Sequence, residues 1–261
     1  MLHGFTLLSP AQAQVARAVL DEESTRRRHI VVYLSGAHAY GFPSPDSDLD
    51  LKGIHLAATE SFLGLRPPQL TYDRMGFVDD IEIDYTSNEL GPALAGILKG
   101  NGNFLERVLG AATLLTSPLH SELAPLVHKC LSRRVHAHYH GFATSQLRAL
   151  TASPTVKKTL YVLRTALTGA HLLRTAELVT DITKLLDEPD FAPAHELVTA
   201  KLRGERTVLG EAERGRWESL LARAFTRLDA AAAASPLPAE PAPPAVAELE
   251  QWLIATRRAS F

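Results

Sequence analysis

Cysteine is all but absent: Cys130 stands alone in 261 residues. A single thiol excludes an internal disulfide and any zinc centre built on paired cysteines. No run of about 18 apolar residues occurs, which excludes a membrane-spanning helix of the usual kind. A strong charge of one sign is missing too. The net charge of −2 argues against coating nucleic acid along its length, while leaving room for a local basic pocket. The start, "MLHGFTLLSPAQAQ", lacks a basic region followed by an apolar stretch, so no secretory signal is expected and a cytoplasmic protein is. What the chain does have is apolar residues, 46% against 21% charged, enough for a core in one large domain or two small ones.

Ser9-Pro10 reads as a helix start, with proline at the first helical position, and that helix should run to about Arg26. "RRRH" (Arg26–His29) then suits a helix C-terminus, where cations meet the dipole; contact with an RNA end is its other use. "HIVVYLS" (His29–Ser35) is β-branched and predicts a buried strand; "SDLDLKGIHL" (Ser47–Leu56) and "DIEIDY" (Asp80–Tyr85) alternate as half-buried strands do. "GLRPPQLTYDRMG" between them reads as an irregular flap. "TSNE" (Thr86–Glu89) predicts a capping box opening a helix that Gly100 closes. From about Asn103 to Ala234 the pattern is helical throughout, with helices near 103–110, 119–131, 134–150, 155–177, 192–203 and 211–234. "SPLPAEPAPPAVAE" (Ser235–Glu248) is a stiff proline-rich linker, followed by a short helix near 246–258. The expected division is therefore 1–115, 116–234 and 235–261.

"SGAHAYGFPSPDSDLDLKG" (Ser35–Gly53) holds the chemistry. On a strand, Asp48 and Asp50 share one face while Leu49 and Leu51 point into the core. Two carboxylates so close resist joint ionisation unless a cation lies between them, and hard oxygen donors suit Mg²⁺. Asp80, Glu82 and Asp84 share a face of the next acidic strand, and one of them could complete a two-metal phosphoryl-transfer site. A lone Asp-x-Asp is ordinarily a solvated edge. Here a small-residue turn precedes it, and the exposed N–H groups of such a turn bind phosphate.

These residues resemble the signature of the DNA polymerase β-like nucleotidyltransferase superfamily. More narrowly, they are similar to predicted nucleotidyltransferases of the RlaP/YcgL type, associated with RNA repair. The matching positions are Gly36, Ala37, Ala39, Tyr40, Gly41, Ser47, Asp48, Asp50 and Gly53. "EIDYTSNELGPALAGILKGNGNFLERVL" resembles the family's third-carboxylate strand and the segment after it, including Asn101, Asn103 and Glu106. "KKTLYVLRTALTGAHLLRTAEL" resembles its helical tail. The resemblance implies an α+β fold, a small mixed-sheet nucleotidyltransferase domain followed by an all-helical one. It implies transfer of a nucleoside monophosphate from an NTP, with Mg²⁺ or Mn²⁺ as a two-ion cofactor and release of pyrophosphate. Asp48, Asp50 and Asp84 would be the catalytic metal ligands, Glu82 being the alternative third carboxylate. Gly36, Ala37, His38, Tyr40 and Ser47 would contact the nucleotide. The acceptor would be an RNA or tRNA end, with a small molecule or a protein as the alternative, and no zinc or membrane is implied. One departure stands out. The family's serine is Ala37 here, which keeps the backbone N–H but lacks a hydroxyl for the triphosphate, a loss of roughly 1.5–3 kcal/mol if nothing replaces it. A catalytically weak nucleotide-binding protein is the reading that Ala37 favours.

On the helix after Pro154, Leu160, Leu163, Leu167 and Ala170 form the core stripe, while Lys157, Tyr161 and Arg164 share another face. A basic–aromatic–basic face suits a nucleotide, the ring for its base and the cations for its phosphates; Lys158 joins it, and a solvated face is the plain alternative. His136 and His140 share a helical face without an evident acidic third ligand, and Cys130 lies in an apolar pattern that predicts packing.

Overall fold

The computed structural model describes residues 2–203 and 211–261. In chain order its elements are α1 (His3–Thr6), α2 (Pro10–Arg26), β1 (Arg28–Leu34), α3 (Gly36–Ala39), β2 (Leu49–Leu56), β3 (Thr71–Val78), β4 (Ile81–Glu89), α4 (Leu90–Leu98), α5 (Gly102–Leu109), β5 (Thr113–Thr116), α6 (Pro118–Lys129), α7 (Val135–Ala152), α8 (Val156–Thr175), α9 (Ile182–Leu185), α10 (His195–Leu202), α11 (Glu211–Ala233) and α12 (Pro243–Arg258). This is the expected α+β class. The helical pattern expected across 204–210 lies outside the described residues.

Two compact units partition these elements. The first holds Met1–Gly36, Asp48–Leu131 and Pro241–Phe261; the second holds Ala37–Ser47 and Ser132–Glu240. Their limits differ from the 1–115, 116–234 and 235–261 division in three places. The loop 37–47 goes with the later helices, α6 goes with the sheet, and α12 returns to the first unit.

In the first unit, among the described residues, five strands form one sheet in the order β3-β4-β2-β1-β5. β2 and β4 are parallel and the other pairs antiparallel. The β-branched run Ile30–Val32 is fully buried in β1, as its composition demands. α2 begins as predicted: Ser9 accepts from Gln12 N, and Gln12 reaches back to Ser9 N in a complete capping box. It buries Val15, Ala16, Val19, Leu20 and Glu23, one stripe at helical spacing.

Four local expectations are corrected. Thr71–Val78, expected within a flap, is the edge strand β3. It pairs with β4 because Val78-Asp79-Asp80-Ile81 makes a two-residue hairpin, both aspartates at positive φ (47° and 62°) as a type I′ turn requires. Thr86–Glu89 continues β4 instead of capping a helix. Glu89 is itself the cap, accepting from Gly91 N at 2.7 Å. Thr113–Thr116 is a strand in a stretch expected to be helical, held because Leu34 N donates to Ala112 O and β5 pairs along β1. The proline-rich segment is helical from Pro243 onward, with proline in the first turn of α12 where its missing N–H costs nothing.

α12 is fastened to the first unit by charge. Glu89, fully buried, pairs with Arg257 at 2.7 Å, and Thr59 Oγ1 donates to Arg257 O at 2.7 Å. Beneath α2 lies a buried polar network. Arg27 joins Glu23 to the Tyr85 hydroxyl, and His29 Nε2 meets that hydroxyl at 2.7 Å. His55 Nδ1 meets Ser87 Oγ at 2.9 Å. Burial, aided by the Arg27 charge, holds both imidazoles neutral, with pKa values pushed down to about 4.

In the second unit α8 is the central helix, packed by α7 and α11. Its predicted core residues Leu160, Leu163, Leu167 and Ala170 are all buried.

Candidate active site

β2 starts at Leu49, so Asp48 stands one residue ahead of the strand, half-buried, and Asp50 is its second residue. The parallel pairing sets Asp50 opposite Asp84 of β4. Residues in register on neighbouring strands point to the same face, so the two carboxylates stand side by side. Lys52, two residues on along β2, shares that face. Its ammonium lies 2.7 Å from Asp84 Oδ1 and 3.7 Å from Asp50 Oδ1, and it also donates to Asp84 O at 3.2 Å. The positive charge that two adjacent carboxylates call for is thus supplied by the chain itself.

Of the alternatives for a third carboxylate, Asp80 sits in the hairpin turn and Glu82 is exposed opposite Phe77. Met75, 74% exposed, is the cross-strand partner of Asp84 on its outer side. Lys52 also lines a cavity of about 140 Å³ with Ser35, Asn103 and Glu106. Asn103 and Glu106 thereby acquire a place beside the lysine that joins the aspartates.

The divalent cation implied by the resemblance finds donors of the right kind here, since hard carboxylate oxygens already gather about one cationic centre. As the side chains stand, among the described residues no three His, Cys, Asp or Glu groups are drawn together as metal ligands.

Gly36 ends the first segment of the first unit with φ +64°, and a Cβ there would lie 1.9 Å from Asp50 Oδ2. Both the left-handed backbone and the approach of the carboxylate require glycine. Ser35 N donates to Asp50 O at 2.8 Å, tying the turn to the strand.

The rest of the motif belongs to the second unit. Ala37 and His38, in α3, are buried at 3% and 4% exposure, and Tyr40 is buried too. Ser47 is braced inside the loop: its hydroxyl accepts from Ser44 N at 2.9 Å and lies 3.1 Å from Ser44 Oγ, which accepts from the buried Lys201 Nζ at 2.6 Å. Tyr40 O accepts from Ile182 N, and a Cβ at Gly41 (φ +84°) would fall 2.1 Å from Asp181 Oδ1.

The stripe on α8 meets this loop. Tyr161 packs edge-on against Tyr40 and Phe42, with ring centroids 5.7 and 5.6 Å apart, and the Arg164 guanidinium lies 3.6 Å from the centre of the Tyr40 ring. Arg164 is 1% exposed, so its cation–π contact serves the loop's packing. Lys157 is half-buried, and Lys158 donates to Ala149 O at 3.1 Å. The histidines of α7 do have an acidic neighbour: Asp229 Oδ1 lies 2.8 Å from His136 Nε2 and 4.0 Å from His140 Nε2. Cys130 is buried, as expected.

Two residues escaped the sequence reading. Lys52 was legible, being the next member of the alternation Asp48, Asp50, Lys52. Lys201 was not, because a lysine far along the chain carries no local sign that it will be buried against Ser44.

The family model described as "RNA repair pathway DNA polymerase beta family" (RlaP) matches residues 12–255. An uncharacterized protein of Methanocaldococcus jannaschii is 29% identical over 161 residues, covering 59% of this chain and 64% of that protein, so the match spans somewhat under two thirds of the relative. A nucleotidyltransferase-like protein from Exiguobacterium sibiricum, of known crystal structure, aligns at 12% identity with a TM-score of 0.35, over 94% of this chain and 79% of that one.

Proposed function

We propose, from the premise that this chain belongs to the RNA repair pathway DNA polymerase beta family, that it transfers a nucleoside monophosphate from an NTP to an acceptor hydroxyl and releases pyrophosphate. The observation that carries the proposal is the register pair Asp50–Asp84 with the Lys52 ammonium between them. Asp48, Asp50 and Asp84 would hold Mg²⁺ or Mn²⁺, which when bound neutralises phosphate charge and acidifies the attacking hydroxyl. In the transfer, the acceptor O–H bond breaks, a bond forms from that oxygen to the α-phosphorus, and the bond from α-phosphorus to the bridging oxygen breaks. Asp84 would receive the proton. Lys52 remains near both aspartates and is a donor for phosphate oxygen once released from them. Gly36 keeps the space into which Asp50 Oδ2 projects.

For the acceptor we propose an RNA end, a tRNA among the candidates, on the strength of the family's description. Ala37 supports a second reading, a protein that grips nucleotide but transfers it weakly. Incubation with each α-labelled NTP and Mg²⁺ or Mn²⁺, with cellular RNA, protein and small-molecule pools as acceptors, separates these. Label in RNA, dependent on Asp48 and Asp50, is the expected result. Label only in protein or small molecules would move the acceptor, and nucleotide binding without pyrophosphate from any pool would favour the second reading.

A further inference from the structure

A cleft of about 590 Å³ opens in the first unit, well away from the carboxylates. Arg26, Arg27, Arg28, His55, Tyr72 and Ser260 are among its lining residues, and among the described residues no Asp or Glu lines it. Its volume lies within the range of small-ligand sites. His55 is five residues beyond Asp50 along β2, roughly 16 Å at strand rise, and on the opposite face by alternation.

The local charge is unbalanced. Arg26, Arg27 and Arg74 pair with Glu22 and Glu23. Arg28 has no carboxylate: among the described residues it donates only to Ser260 Oγ, at 3.2 Å. Of the three guanidiniums that line the cleft, two are thus paired with glutamates and the Arg28 one is not. A helix C-terminus accounts for cations at Arg26 and Arg27, but Arg28 already belongs to β1.

Two lining residues also carry buried nitrogens with nothing to bond. Arg27 Nε is a donor without an acceptor, and His55 Nε2 has no partner although the residue is 2% exposed. Unsatisfied buried polar atoms are uncommon and call for an explanation. The Arg27 guanidinium lies 4.1 Å from the centre of the Tyr72 ring, which fixes one wall.

We infer that this cleft binds the phosphate of a nucleotide-sized ligand. Arginine forks match phosphate oxygens in pairs, and Arg28 supplies the uncommitted charge. The phosphate could belong to a free nucleotide or to one nucleotide of an RNA strand; the chemistry is shared. The inference stands apart from the transfer reaction, because it uses none of the carboxylates.

Its test is calorimetric titration of the full chain carrying Asp48→Asn and Asp50→Asn, in EDTA, with inorganic phosphate, AMP and an eight-nucleotide oligo(A) RNA as probes. The expected result is saturable binding that weakens at least tenfold in Arg28→Glu and in Ala58→Glu, both exposed positions on the cleft, while Arg66→Glu leaves it unchanged. Circular dichroism verifies that each variant is folded. Oligo(A) binding much tighter than AMP would place the phosphate in a strand, and equal affinities would make it a free nucleotide. Saturation by none of the probes, or affinity untouched by both cleft variants, overturns the inference whatever the NTP assay shows.

Discussion

At the scale of single residues, the pairing of Asp50 with Asp84 sets what each side chain must do. Asp50→Asn and Asp84→Asn keep size and lose charge, and each should lower nucleotide transfer at least about 100-fold, roughly 2.7 kcal/mol of barrier. Glu82→Gln should leave it near the starting rate, and steady-state incorporation of labelled nucleotide makes the comparison. Lys52→Met removes the cation between the two aspartates. Without divalent ions it should destabilise the protein by on the order of 1 kcal/mol, since water screens part of the pair. Added Mg²⁺ should then raise the Tm of the variant more than that of the parent, and equal rises would contradict the role given to Lys52. Gly36→Ala meets both a positive φ and the Asp50 carboxylate. It should cost about 1–2 kcal/mol from the backbone alone and abolish transfer, to be read from urea denaturation and the same incorporation assay.

Among elements, α12 carries the clearest consequence. Its Arg257 is the counter-charge of the fully buried Glu89, so Arg257→Ala leaves that carboxylate without its counter-charge in the interior, held only by the Gly91 N–H among its described contacts. A loss of about 3–5 kcal/mol in urea unfolding is expected, and Arg257→Met with Glu89→Gln should recover part of it. Little of this was legible beforehand, because "SPLPAEPAPPAVAE" carries the composition of a spacer and the partner of Arg257 lies at the far end of β4. Local periodicity served well where packing obeyed it. β1 stands where its β-branched run put it, α2 where Ser9-Pro10 started it, and the core stripe of α8 where helical spacing put it. It failed where a distant strand decided the outcome: Thr86–Glu89 has the letters of a capping box, but pairing with β2 and β3 keeps it extended. For the site, alternation set Asp48 and Asp50 on one face and left Asp80, Glu82 and Asp84 open together; the resemblance singled out Asp84, whose register position opposite Asp50 only the sheet reveals. The burial of Arg164 under Tyr40 was not legible, since a stripe of charge on a helix looks the same whether water or a loop covers it.

For the whole molecule, the buried histidines set the response to acid. His29 and His55 titrate near pH 6.5 when unfolded and are held to about 4 in the fold. The unfolded chain therefore takes up protons first as pH falls. Stability should be full above about pH 6.5 and decline between 6.5 and 4, by up to about 3 kcal/mol for each histidine. Urea denaturation at pH 7.5 and 4.5 measures this, and His29→Gln should flatten the profile. Whether the protein transfers nucleotide is decided by release of pyrophosphate from α-labelled NTP with Mg²⁺ and cellular RNA, alongside the Asp48→Asn/Asp50→Asn variant. Metal-dependent release with label carried into RNA, lost in the variant, is the predicted result. No release and no label in any pool, or release that survives in the variant, would contradict it.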